Sequence, residues 1–175
     1  MVTTHRGERF DGFNSLSRND ARDRLSTCLA VPRWVDEVAD GRPYADLADL
    51  RKRAAESAAQ LNDAELDAAL ARHPRIGERA STAHDAEHSR REQAGVDVGD
   101  SEVGTRLAAG NRAYEKRFDR VFLIRAAGRS ASEILGELDR RLSNDAAAER
   151  AETVTQLRDI ALLRLETMVG AAWAP

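Results

Sequence analysis

His73 stands before Pro74 in "LARHPRIGERAS", Leu70 to Ser81. A proline crowds the backbone of its predecessor and drives it out of the helical region. The imidazole therefore sits at a fixed break in a chain rich in helix-forming Ala, Leu, Arg and Glu. A ring that titrates near neutrality and is held in place suits proton transfer. The competing role is a helix-ending ring that caps a carbonyl. Ser89 and Glu92, in "SRREQAG", match a capping box. If the helix begins nearer Ala83 to Asp85, they are instead i, i+3 neighbours that project a hydroxyl and a carboxylate from one face. A carboxylate beside His73 would orient the imidazole or keep it protonated. Arg164 lies inside "IALLRLETMV", with Ile160, Ala161, Leu163, Leu165 and Met168 around it at helical spacing. Its guanidinium either snorkels to water or points into a cavity to grip a planar anion with two prongs. Asn111 interrupts an apolar stripe, where a structural hydrogen bond explains it equally well.

Other chemistry is less well supported. His84 and His88 are i, i+4, the spacing of two zinc ligands on a helix. However, "HDAEH" lacks the His-Glu-x-x-His order and no third ligand is evident. Cys28, the one cysteine, sits in the apolar helical stretch "RLSTCLAV" and reads as a buried structural thiol. No glycine-rich phosphate loop is present, and "AAGRSASE" is a turn followed by a helix cap.

The elements that must position these groups are helical. Residues 1 to 13 read as a loose leader. A helix fits Ser17 to Leu29, with Leu16, Ala21, Leu25 and Cys28 or Leu29 on one stripe. Pro32 opens a short helix that "DGRPY" ends. The next runs from about Tyr44 to Gln60, and Asn62 with Glu65 starts another that ends near Arg72. A polar stretch follows "HPRIGE", punctuated by Gly95 and Gly99. A long helix fits Ser101 to Phe118, and Ser130 with Glu133 caps one that reaches about Leu142. The last runs from about Asp145 to Ala172. "RVFLIRAAG" is the one β-like run. A solitary strand has no partner for its backbone groups, so it reads as an extended connector near residues 121 to 128. The expectation is an all-α, single-domain bundle of about seven to nine helices, spanning residues 14 to 175.

Composition limits the function classes. The 175 residues suit one domain. The net charge of −3, with both signs interspersed, lacks the basic face that nucleic acid demands. No apolar run approaches membrane-span length, and "MVTTHRGERFDGF" has no hydrophobic signal core. One cysteine excludes an internal disulfide. The default expectation is a cytoplasmic protein.

Taken in order, "FNSLS", "PRWVDEVADGRPY", "HPRIGE", "SRREQAG", "NRAYEKRFDRVFLIRAAGRS" and "LRDIALLRLETMV" carry a resemblance. From about Phe13 to Val169 the chain resembles the 2-oxo-4-hydroxy-4-carboxy-5-ureidoimidazoline (OHCU) decarboxylases of urate breakdown. The resemblance implies that His73 is catalytic together with Glu92, with Pro74 shaping the pocket and Ser89 fixing a substrate heteroatom. It puts the substrate-gripping arginine at Arg164. It also implies that the connector lines the site through Leu123, Ile124, Arg125, Ala126 and Ala127, offering backbone groups to the ligand. The implied fold is all-helical. The implied reaction is cofactor-independent conversion of OHCU to (S)-allantoin and carbon dioxide, with no metal. The expected partner is a small-molecule substrate, with neither nucleic acid nor membrane, and the resemblance allows a homodimer. The alternative is a non-catalytic helical module that binds a ligand or a protein. It predicts an exposed apolar groove and indifference to His73→Ala.

Overall fold

The computed structural model describes residues 5–77, 92–94 and 101–170. Among them are eight α-helices: α1 (His5–Asn14), α2 (Arg18–Cys28), α3 (Pro32–Asp40), α4 (Leu47–Ala58), α5 (Asp63–Leu70), α6 (Ser101–Phe118), α7 (Ala131–Arg141) and α8 (Ala146–Gly170). No strand occurs among the described residues. The all-α expectation holds. Within this all-α chain two compact units are distinguished: residues 1–65 with 158–175, and residues 66–157. The boundaries fall inside or beside α5 and within α8.

In the first unit α3 packs against both α2 and α4. Ser17 caps α2 by accepting from the Asp20 amide at 3.1 Å, and Pro32 opens α3 where its missing N–H costs nothing. Trp34 is fully buried, and its indole N–H donates to the Ala54 carbonyl at 2.9 Å. A large apolar surface is thus buried without stranding its one polar atom. Arg42 closes two helix ends at once. It donates to the carbonyls of Phe13 and Leu16 at 3.1 and 2.8 Å, and to that of Ala39 at 2.9 Å.

Two expectations shift here. The stretch read as a loose leader carries α1, and Phe10 and Phe13, three residues apart on that helix, are buried. Helix α4 starts at Leu47 rather than near Tyr44, because the Asp46 carboxylate accepts from the Asp49 amide at 2.8 Å and fixes the first turn there. The Asn62–Glu65 capping box is reciprocal as expected, with bonds of 3.0 and 2.9 Å.

In the second unit α6 packs on α7. Between them lies a core of Leu107, Tyr114, Phe122, Ile124, Ile134 and Leu138. Tyr114 meets Phe122 edge to face at 5.2 Å and Phe118 at 4.8 Å. Helix α6 stops at Phe118, and the chain turns through Asp119 at φ 52°. It then runs without helix or strand to Ala126 before the Ser130–Glu133 capping box starts α7. The connector is present where expected. Its backbone makes no ladder with the described residues, and side chains meet some of its polar groups instead.

Candidate functional site

The site is built from the end of α5. The chain leaves the helix in a turn closed by the His73 amide on the Leu70 carbonyl at 2.9 Å, and Pro74 prevents the helix from continuing. The half-buried His73 ring turns back so that Nδ1 lies 2.9 Å from the Ala69 carbonyl oxygen. A carbonyl can only accept. In the neutral ring Nδ1 therefore carries the hydrogen and Nε2 the lone pair, and Nε2 is shielded from solvent. The capping role and the proton-carrier role read from the sequence are thus compatible: one nitrogen caps, and in the neutral ring the other carries the lone pair.

The segment after His73 is clamped to one face of α6. The Asn111 amide nitrogen donates to the Ile76 carbonyl at 3.3 Å. One turn along, Glu115 receives the Arg75 guanidinium through Nε and through Nη2, the latter at 2.9 Å. Those hydrogen bonds from Arg75 hold the Glu115 carboxyl below the usual range. Gly77 closes the segment at φ 88°, a left-handed conformation that glycine adopts at no steric cost. Its amide donates to Gln93 Oε1 at 3.1 Å. This bond docks the 92–94 segment on the His-Pro turn, with half-buried Glu92 one residue from the contact.

A cleft of about 680 Å³ opens beside this clamp. It is lined by Arg75, Ile76, Gly77 and the Gly104, Asn111 and Glu115 positions of α6. His73, Pro74 and the connector do not line it.

Along the connector Phe122, Leu123, Ile124 and Ala126 are buried, Ala127 is half-buried and Arg125 is exposed. Its backbone is held by side chains. The Leu123 carbonyl accepts from Arg141 at 2.7 Å, and the Arg125 amide donates to Gln156 Oε1 at 2.9 Å. A turn through Gly128, at φ 80°, is closed by the Arg129 amide on the Ala126 carbonyl at 3.0 Å.

The second unit thus holds His73, Pro74, Glu92 and the residues from Leu123 to Ala127. Arg164 belongs to the first unit, half-buried on α8 between buried Leu162 and Leu165. Its charge reaches the Cys28 thiol and favours the thiolate there, but burial dominates and pushes that thiol up to about 12. Cys28 is therefore the inert, buried thiol its sequence setting suggests. Ser89, His84 and His88 lie outside the described residues. Among the described residues no group of three or more His, Cys, Asp or Glu could hold a metal.

Sequence reasoning missed Arg141 and Glu149, an ion pair whose side chains are each only 1% exposed. A signal was available. Ile134, Leu138 and Arg141 occupy i, i+4 and i+7 of α7, so a charge stands where the buried stripe calls for an apolar residue.

Comparison with known proteins supplies the family. Residues 14–166 match the family model described as OHCU decarboxylase. The chain is 31% identical over 162 residues to 2-oxo-4-hydroxy-4-carboxy-5-ureidoimidazoline decarboxylase of Amia calva, covering 89% of this chain and 91% of that protein. It is 23% identical over 159 residues, 90% of its own length, to a uric acid degradation bifunctional protein of Bacillus sp. (strain TB-90), of which it spans 32%. Among solved structures, an OHCU decarboxylase crystallised in the presence of (S)-allantoin aligns with a TM-score of 0.71 at 22% identity, covering 85% of this chain and 98% of the other. An (S)-allantoin synthase aligns with a TM-score of 0.68 at 13% identity, covering 91% of this chain and 53% of the other. At those identities the two structures establish a shared fold. The family-model match and the 31% identity across nearly the whole of a decarboxylase go further: this chain belongs to the OHCU decarboxylase family.

Proposed function

We propose that this protein decarboxylates OHCU to (S)-allantoin and carbon dioxide, and that His73 and Glu92 carry the proton transfers. The observation that carries the reading, within a chain of this family, is the tautomer imposed on His73 by the Ala69 carbonyl. It turns a basic nitrogen away from the helix end that holds the ring.

The chemistry follows from the substrate. The C4 carbon of OHCU bears a hydroxyl and a carboxylate, and its neighbour C5 is doubly bonded to nitrogen. When the C4–carboxylate bond breaks, its electron pair flows towards that C=N. The substrate thus supplies its own electron sink, and the step calls for no metal or external cofactor. The hydroxyl then gives up its proton as the C4 carbonyl forms, and C5 receives a proton on one face. Nε2 of His73, paired with Glu92, suits the hydroxyl proton and the protonation step. Ser89 fixes a substrate heteroatom. Pro74 and the backbone of Leu123, Ile124, Arg125, Ala126 and Ala127 form the wall, and Arg164 grips ring or ureido oxygens. The medium is aqueous and the setting cytoplasmic. The net charge is −3, and no described helix is long and apolar enough to cross a membrane. A homodimer, if formed, is read by analytical ultracentrifugation.

Freshly generated OHCU decays by itself to racemic allantoin. Mixed with this protein, it is expected to give optically active allantoin faster than that decay, followed by circular dichroism. A racemic product at the spontaneous rate would return the chain to the class of non-catalytic binding modules.

A further inference from the structure

Arg141 is a costly residue to bury. Taking a guanidinium and a carboxylate out of water costs several kcal/mol each, and a well-packed apolar pair in their place is often neutral or stabilising. Stability alone therefore gives no reason for Arg141 and Glu149 to face each other inside the second unit, and the geometry gives another. Arg141 Nε and Nη2 donate to one Glu149 oxygen at 2.9 and 2.5 Å, and Nη2 also reaches Thr153 Oγ at 3.3 Å. Nη1 remains for the Leu123 carbonyl, at 2.7 Å. The guanidinium carbon lies 4.7 Å from the centre of the Phe122 ring, a cation–π contact with the residue just before. One planar cation thus grips both the backbone and the side chain of the connector.

Glu149 is the anchor that aims this cation. Its first oxygen also receives the Tyr114 hydroxyl from α6, and its second receives the Asn144 amide at 2.9 Å. On α8, Glu149, Thr153 and Gln156 stand at i, i+4 and i+7 and so share one face. That face holds Arg141 at one end and, through Gln156, accepts the Arg125 amide at the other. Among the described residues the connector has no strand partner, and this polar face with its arginine takes the place of one.

We infer that Arg141 and Glu149 form a positioning pair that sets the connector backbone against the substrate, an inference that rests on the decarboxylase reading above. Neither residue touches substrate. Arg141 acts through the Leu123 carbonyl and so fixes the orientation of the next residues, Ile124 to Ala127. The planar fork divides its nitrogens, Nε and Nη2 to Glu149 and Nη1 to Leu123, while it lies over the Phe122 ring, a fixed spread that the compact ammonium of a lysine does not reproduce.

The test replaces both residues at once with Arg141→Met/Glu149→Leu, because a single replacement leaves a buried charge uncompensated. The expected variant melts cooperatively, exchanges its amide hydrogens faster over residues 121–128, and shows a KM for OHCU raised about tenfold with a smaller change in kcat. Wild-type exchange protection, or a wild-type KM, in a folded double variant overturns the inference. If the double variant does not fold, Arg141→Lys, which keeps the charge against Glu149, is held to the same two readouts. A wild-type chain inert towards OHCU brings down the decarboxylase reading and the positioning role with it. Unchanged exchange brings down the tether alone, whatever the activity.

Discussion

His73 Nδ1 and the Ala69 carbonyl oxygen lie 2.9 Å apart, one helical turn from each other on the same short segment. A histidine ring in an enzyme is often oriented by a carboxylate, which adds charge as well as direction. Here a backbone carbonyl supplies direction without a full negative charge. It holds the neutral ring in the tautomer whose lone pair is on Nε2, the nitrogen proposed to work with Glu92. The expected result for His73→Ala is a loss of at least about a hundredfold in turnover, the usual contribution of one positioned acid–base group. Far-UV circular dichroism should remain unchanged, and turnover close to wild type would remove His73 from the mechanism.

The turn that carries His73 is tied to α6 by Asn111. Asn111→Ala removes the donor to the Ile76 carbonyl and leaves that acceptor in a buried setting. The expected loss is about 1–3 kcal/mol in chemical denaturation. Turnover should also fall by up to about a hundredfold, because small displacements of a catalytic group are costly. Asn111→Asp cannot donate to the carbonyl when ionised and should not restore turnover. If both variants turn over like wild type, the Ile76 tether does not position His73.

Arg164→Ala is expected to weaken (S)-allantoin binding by about tenfold or more in isothermal titration, the scale of a lost charge-assisted hydrogen bond. It should also cost some stability, because Arg164 is half-buried and truncation removes the apolar stem of its side chain. Unchanged affinity would leave Arg164 as a stem that covers apolar surface and a head that meets water.

Stability should fall steeply in alkali. Burial pushes Cys28 from 9.0 to about 12, and pushes Tyr44 and Tyr114 from 10.0 to about 12, with the Glu149 hydrogen bond adding to the shift of Tyr114. In the unfolded chain these groups lose their protons at the lower values, while the folded chain holds them. The unfolded state thus binds fewer protons, and stability drops as pH rises. The contribution is whole below about pH 9 and is lost by about pH 12. Urea midpoints measured from pH 8 upward should decline progressively; midpoints independent of pH over that range would contradict the burial of these groups.

Much of the frame was legible because its signals are local. Ser17, Asn62 and Ser130 cap helices through atoms a few residues away, and Pro32 and Pro74 act on their neighbours. The same holds for the connector, whose β-like run has no mate among the described residues. The misses are tertiary. Phe10 and Phe13 are buried, which a short polar stretch read by itself did not reveal. Arg141 and Glu149 are more instructive. Composition reads both as surface charges, and only the meeting of α7, α8 and the connector makes one the other's partner. At the site, the His-Pro break was legible as a fixed point. The clamp by Asn111 and Glu115 depends on α6 lying across it, and no spacing in the chain encodes that.

The seclusion of Cys28 has a practical consequence. With the sole native thiol silent towards maleimides near neutral pH, one engineered cysteine becomes a unique attachment point for a dye. Arg125, whose side chain is exposed in the middle of the connector, is the natural place to put it. A fluorophore there, on a chain needing no prior removal of cysteines, would follow the proposed wall of the site in real time as product is added and removed.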